Sequence, residues 1–324
     1  MNVTVSAEQL RHVVEAAGLA PSVHNTQPWR FLAQPDGLEL HADYDRRLEV
    51  LDPDGRQLHL SCGAALLHAR VAARAIGLDS AVQLLPDPAA PTYLARISLA
   101  PGAAPSDDEV ALATAILHRH THRGSFEDRP VPPAVLDLLR VAAEGEGAAL
   151  RPIDDADQLI ELEVLLARAD ASEEDDENYR AELRRWVYDG AVRPDGIPTS
   201  QVDVAAGSSL RQRDFTLAHP SSTDGTAPHA EHPQVVVLTT DDDSAESWLK
   251  AGQALGVLLL RAADHGVQAQ PLGQITDMVG FRLGLRSTLG VLGIPQLVLR
   301  MGYAHNAVVT PRRAVEDLLV PVAR

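Results

Sequence analysis

Two long alanine- and glycine-rich helices, each ended by a glycine, repeat one another in this chain and constrain its fold more than any other feature. Helical periodicity runs from about Gln57 to Ile76 and again from Ser244 to His265, with Gly77 and Gly266 as the stops. Gly63 and Gly252 are 189 positions apart, and so are Gly77 and Gly266. The helices before them match at a shorter offset, Ala16-Ala17 lying 126 positions ahead of Ala142-Ala143. The difference of 63 requires extra residues in the second half. Residues 168–230 supply them, with an acidic run from Glu173 to Glu177, many Gly, Pro and Ser residues, and one convincing helix near Asn178 to Val187. Alanine-rich helices also resemble each other by chance. That the whole excess falls in one irregular segment is what favours duplication. The expected fold is α+β, with three α/β/α layers and two unequal halves, 1–105 and 106–324, the second carrying an insertion at about 168–230.

The rest of the pattern fits this order. A helix from Ala7 to Leu19 stops before Pro21, and Trp29–Ala33 and Leu38–Ala42 read as a hairpin around Pro35-Asp36-Gly37. Short strands follow at Val82–Leu85 and Tyr93–Leu99. The second half gives helices at Ala134–Ala143 and Ala156–Ala169 and strands at Ala148–Ile153, Val235–Thr239 and Pro295–Tyr303. Pro311 is expected to open a terminal helix.

Charge narrows the partners. The formal charge is −17, and Lys250 is the only lysine among 28 basic residues. Such a surface repels phosphate backbones and anionic lipid, so nucleic acid and membrane are excluded as partners. An anionic ligand must be held by a local arginine cluster. The single cysteine, Cys62, lies in an apolar helical run and leaves no disulfide, Cys-based zinc site or redox pair. The first residues carry neither a basic nor an apolar targeting region, and no apolar stretch reaches the ~18 residues a bilayer requires. A cytoplasmic location is the expectation.

Four segments could carry chemistry. In His118-Arg119-His120-Thr121-His122-Arg123, read as extended chain, Arg119, Thr121 and Arg123 share one face and make a phosphate clamp. His118, His120 and His122 share the other face; three imidazoles can bind zinc, although no acidic fourth ligand is near and the arginines would repel the ion. A solvated basic strand is the plainer alternative. Arg312-Arg313 follow Pro311, at a helix N-terminus that would favour an anion, or else lie exposed. Pro21-Ser22-Val23-His24-Asn25 begins a loop of small and polar residues able to present hydrogen bonds to a flat heterocycle. Pro271-Leu272-Gly273-Gln274 allows close backbone approach to a planar ligand, or is an ordinary turn. Gly145-Glu146-Gly147 fails the dinucleotide fingerprint and stands in the wrong order, after a helix and before a strand.

At these residues the chain resembles the FMN-dependent nitroreductase superfamily, and within it the actinobacterial Acg type. Pro21-Ser22-Val23-His24-Asn25-Thr26-Gln27-Pro28-Trp29 is similar to the family's PS-x-x-N-x-Q-P-W loop. Arg119-His120-Thr121-His122-Arg123 with Phe126 resembles its phosphate segment, and Arg312-Arg313 its C-terminal basic pair. Pro271-Leu272-Gly273-Gln274 falls where the family lines the isoalloxazine. The resemblance implies FMN as cofactor, NAD(P)H as electron donor, a small nitro- or quinone-type aromatic acceptor, and no side chain acting as acid or base. The family is ordinarily a homodimer in which one protomer gives the clamp and the other the loop. Here only the second half carries the clamp and only the first the loop, which implies a monomer with a single composite site. Residues 168–230 correspond by position to an Acg-type lid, and a closed lid would make the chain a flavin-sequestering protein with little turnover.

Overall fold

Backbone meets backbone where the two repeated helices cross. In the computed structural model, which describes residues 5–190, 193–202, 210, 213–215, 231–304 and 309–321, the chain opens with α1 (Ala7–Gly18), the hairpin β1 (Trp29–Gln34) and β2 (Gly37–Ala42), and α2 (Arg56–Ala75). Next come β3 (Leu78–Leu84), β4 (Tyr93–Pro101), α3 (Asp107–His118), α4 (Pro133–Gly145), β5 (Ala149–Ile153), α5 (Ala156–Asp175) and α6 (Glu177–Trp186). After β6 (Val187–Tyr188) and β7 (Ile197–Pro198) the chain forms β8 (Gln234–Thr240), α7 (Ala245–Asp264), β9 (Gln268–Pro271), α8 (Gln274–Asp277), α9 (Val279–Leu289) and β10 (Ile294–Gly302). It closes with α10 (Val315–Leu318) and β11 (Leu319–Val320).

Helices α2 and α7 pack through the glycines that the repeat aligns. A Cβ on Gly252 would stand 2.8 Å from the Gly63 Cα, and one on Gly63 would stand 2.9 Å from the Gly252 Cα. Each would also strike a carbonyl of the facing helix, Leu60 or Leu249. Only two glycines permit this crossing. The contact is reciprocal, as it is between identical surfaces related by a two-fold axis.

Each long helix faces its own sheet. Strands β11-β1-β2-β4-β3 form one sheet and β5-β8-β10-β9 the other. Trp29, Phe31, Leu38, Leu40 and Ile97 pack with Val13, Leu58, Leu66 and Ala69 beneath the first sheet. Leu139, Leu150, Leu238, Leu258 and Leu299 build the core between α4, α7 and the second sheet. The opposite face of that sheet packs Val235, Val237 and Val298 against Leu162 and Leu166 of α5 and Leu285 of α9. The second sheet is therefore the middle of three layers.

Three departures from the sequence reading bear on the site. Helix α3 was not expected, although Ser106 and Glu109 form a capping box at its start. The terminal helix expected from Pro311 does not form. Residues 309–314 have no regular structure, and α10 has only four residues. The segment is drawn out instead because β11 crosses back to pair in parallel with β1, Phe31 opposite Leu319. A helix dipole thus has no part in placing Arg312 and Arg313. The insertion begins inside α5 and builds α6, β6 and β7. Tyr179, Leu183, Val187 and Ile197 bury against Leu48 and Leu51. Much of what remains in 168–230 lies outside the described residues.

Candidate functional site

A solvent-open cavity, about 790 Å³ with its open mouth included, lies between the halves. Its wall takes Pro21 to His24 from the first loop, Gln57, Leu60 and Ser61 from α2, and Leu255 from α7. Thr121 and Arg123 close one side, Gln270, Pro271 and Gly273 another, and Arg213, Phe215 and Asp277 a third.

The 21–28 loop is held in a costly shape. His24, Asn25 and Gln27 have φ of 45°, 54° and 50°, the left-handed region that residues with a Cβ avoid. Hydrogen bonds enforce it. Ser22 Oγ accepts from Gln27 N (2.9 Å), and Val23 N donates to Ser61 Oγ of α2 (3.1 Å). Asn25 Nδ2 donates to Gly196 O (3.0 Å) and Pro311 O (3.1 Å), and its Oδ1 accepts from Arg312 (3.2 Å). Gln27 bonds Pro194 O (2.8 Å) and accepts from Arg313 N (2.8 Å). Asn25 and Gln27 thus staple the loop to the insertion and to the C-terminal segment.

The arginines converge as well. Arg119 and Arg312 both donate to the Leu19 carbonyl, at 3.2 and 3.3 Å, although they are far apart in sequence. The 119–123 segment runs beside β9, with Thr121 bridged to Ala269. Arg119 is only 3% exposed, and its Nε and one terminal nitrogen find no partner among the described residues; nor does Arg312 Nε. Burial lowers the Arg119 guanidinium to about 10, with Arg123 repelling it further, and burial lowers Arg123 to about 10. Arg312 falls to about 9 through burial and the charges of Arg119 and Arg123. Among the described residues neither Arg119 nor Arg312 pairs with a carboxylate. His120, half-buried between them, is lowered to about 4 by burial first and then by Arg119 and Arg312. Buried guanidiniums that repel one another are costly to the fold, and a negative charge among them would offset that cost.

Other positions named from sequence lie elsewhere. Leu272 and Gln274 are fully buried beneath the cavity wall, with Leu272 in the core around α5 and α9. Arg313 braces the loop before β1 through Gln27 O and α10 through Asp317 O. Among the described residues no group of three His, Cys, Asp or Glu side chains could hold a metal ion. No described helix is long and apolar enough to cross a membrane.

Several wall residues had no sequence signal. Arg213 lies in the irregular insertion, yet it binds Glu173 at 2.8 Å, Asp277 at 2.7 Å and His24 Nε2 at 3.1 Å. Phe215 meets the His24 ring edge-on at 5.6 Å. Asp277 also accepts from Arg56 (3.0 Å). Asp52 accepts from the backbone of Gln57 and Leu58 at 2.9 Å each and so fixes the end of α2 that faces the cavity.

Burial, with the nearby Asp277 charge adding to it, raises the Asp52 carboxyl to about 6 against the two backbone hydrogen bonds. The folded chain therefore binds a proton there that the unfolded chain releases near pH 4. This contribution is complete below the unfolded value and lost as pH rises through the folded one. Between pH 4.5 and 7 the wild type should lose about 2 kcal/mol relative to Asp52→Asn. Urea unfolding of both proteins at the two pH values checks this; equal pH slopes would refute it.

A model of the nitroreductase family matches residues 1–51 and 116–303, most of the chain. The chain belongs to the nitroreductase family. It is 34% identical over 321 residues to Rv3131 of Mycobacterium tuberculosis H37Rv, whose name gives it provisionally as an NAD(P)H nitroreductase, covering 97% of this chain and 91% of that one. It is 32% identical over 321 residues to acg of the same strain, provisionally named likewise, at 97% and 96% coverage. A crystal structure of a nitroreductase with bound FMN from Desulfitobacterium hafniense overlaps 66% of this chain and 98% of its own, at 14% identity and a TM-score of 0.42. The assignment rests on the sequence matches.

Proposed function

We propose that this nitroreductase-family oxidoreductase holds one FMN between its halves and passes electrons from NAD(P)H to a nitro- or quinone-type acceptor. The observation that carries the reading is the convergence of Arg119, Arg123 and Arg312, of which Arg123 lines the open cavity while Arg119 and Arg312 meet at the Leu19 carbonyl. The unpaired N–H groups of Arg119 and Arg312 suit a phosphate dianion, which would supply the missing negative charge. Pro21 to His24, Pro271 and Gly273 would flank the ring, and Thr121 would add a hydroxyl. FMN, when bound, supplies the hydride and electron chemistry. The residues of this chain bind it, orient it and limit access of water and reactants.

Residues 1–105 and 106–324 are best read as duplicated halves, and the reciprocal Gly63–Gly252 contact supports this. The clamp comes from one half and the loop from the other, so the chain needs no second copy to complete the site and is expected to be a monomer. A second reading has a specific observation in its favour: Arg213 and Phe215 of the insertion stand in the cavity wall, tied to Glu173, Asp277 and His24. A wall fastened in this way would exclude nicotinamide and acceptor alike and leave a flavin-sequestering protein.

The test is anaerobic reduction of the FMN-loaded chain. Bleaching of the flavin band by NADH or NADPH, followed by reoxidation with a nitroaromatic, is the expected result. Bleaching by dithionite with neither nucleotide effective would favour sequestration. A chain that binds no FMN would refute both readings.

A further inference from the structure

His24 does more than shape its loop. Its imidazole is 94% buried in the cavity wall, on a residue whose φ of 45° is costly for a side chain of that size. Its two nitrogens have opposite fates. Nε2 lies 3.1 Å from a terminal nitrogen of Arg213. A guanidinium has only donors, so Nε2 must accept. Burial, and then the charges of Arg213 and Arg123, hold His24 well below the usual imidazole range, so the ring is neutral and its proton sits on Nδ1. Nδ1 is buried and has no hydrogen-bond partner among the described residues. A buried N–H without a partner is costly, and a ligand oxygen that completes it would remove that cost. The ring also meets the insertion, through Phe215 and Arg213, and all three line the same cavity.

We infer that His24, fixed by Arg213 as the Nδ1–H tautomer, donates a hydrogen bond to an oxygen of the electron acceptor, a nitro or quinone oxygen. This rests on the functional reading above and adds a residue that orients the substrate. No proton leaves the imidazole. The donor places the reducible group and favours the negative charge that develops on its oxygen. Arg213 is then a positioning residue, because it decides which ring nitrogen carries the hydrogen.

Three variants test this. His24→Asn keeps an N–H donor near the Nδ1 position and tolerates the left-handed backbone. His24→Leu keeps the bulk and removes the donor. Arg213→Met removes the group that sets the tautomer. Nitrobenzene binding to the oxidised, FMN-loaded chain, read from perturbation of the flavin spectrum, should weaken about five- to tenfold in His24→Leu. It should stay within about threefold of wild type in His24→Asn, and any fall in FMN affinity in either variant should be smaller than the fall in nitrobenzene affinity in His24→Leu. Long-range 1H–15N NMR of the FMN-free chain should give the Nδ1–H pattern for His24 and mixed tautomers in Arg213→Met. Unchanged nitrobenzene affinity in His24→Leu, an Nε2–H pattern, or an FMN affinity that falls in step with nitrobenzene affinity would each overturn the proposal. So would failure of His24→Asn to restore binding. A wild-type chain that takes up no FMN would instead refute the functional reading on which the proposal rests.

Discussion

Arg119→Met is expected to weaken FMN binding by about 10- to 150-fold, which corresponds to roughly 1.5–3 kcal/mol for a lost charge-assisted contact. The same substitution should stabilise the FMN-free chain. Arg119 is buried beside Arg123 and Arg312, makes no ion pair among the described residues, and leaves two nitrogens unpaired. Methionine fills similar space without the charge, so the cost of burying the Arg119 guanidinium and its repulsion of Arg312 are both removed. Opposite signs on binding and stability are the mark of a residue kept for its ligand. Titration of the FMN-free proteins with FMN and thermal unfolding of the same samples measure both. Should Arg119→Met bind FMN like wild type, the phosphate assignment falls. A destabilised FMN-free variant would show that the arginine serves the fold.

The second large effect lies at the crossing of α2 and α7. Gly252→Ala should cost about 3 kcal/mol or more, because the added methyl would strike the Leu60 carbonyl and stand 2.8 Å from the Gly63 Cα. Both obstacles are backbone, so neither can turn away as a flexible side chain would. The helices must separate, and the cavity, which takes wall residues from both, must change with them. FMN affinity should therefore fall along with stability. Gly280→Ala is the control: it lies in α9 with nothing within 4 Å of its would-be Cβ, and alanine there should add about 0.4–1 kcal/mol. Urea unfolding of the two variants gives the comparison. A Gly252→Ala chain as stable as wild type would mean that the crossing is looser than its geometry implies.

The candidate site was partly legible in the chain. Alternation along 119–123 put Arg119, Thr121 and Arg123 on one side, because extended backbone carries that information locally. Pro21 to His24 could be marked as a ligand loop, but not its strain, which comes from bonds to Ser61, Gly196, Pro194 and Arg313 distant in sequence. Arg213 gave no signal at all. Its surroundings follow no period, and its partners Glu173, Asp277 and His24 come from three separate elements. The terminal helix was misread because Pro311 suits a helix start, whereas pairing of β11 with β1 draws that segment straight.

The sequence by itself determined the two long helices, their glycine stops and the hairpin, all of which depend on short-range periodicity and turn chemistry. It also placed the 21–28 loop and the 119–123 segment far apart along the chain. Only the tertiary structure decided that Gly63 and Gly252 touch, that Arg312 reaches Arg119, and that Arg213 fixes one nitrogen of His24. Each of these depends on groups that burial and chain crossing bring together, and a one-dimensional pattern holds no record of such distances.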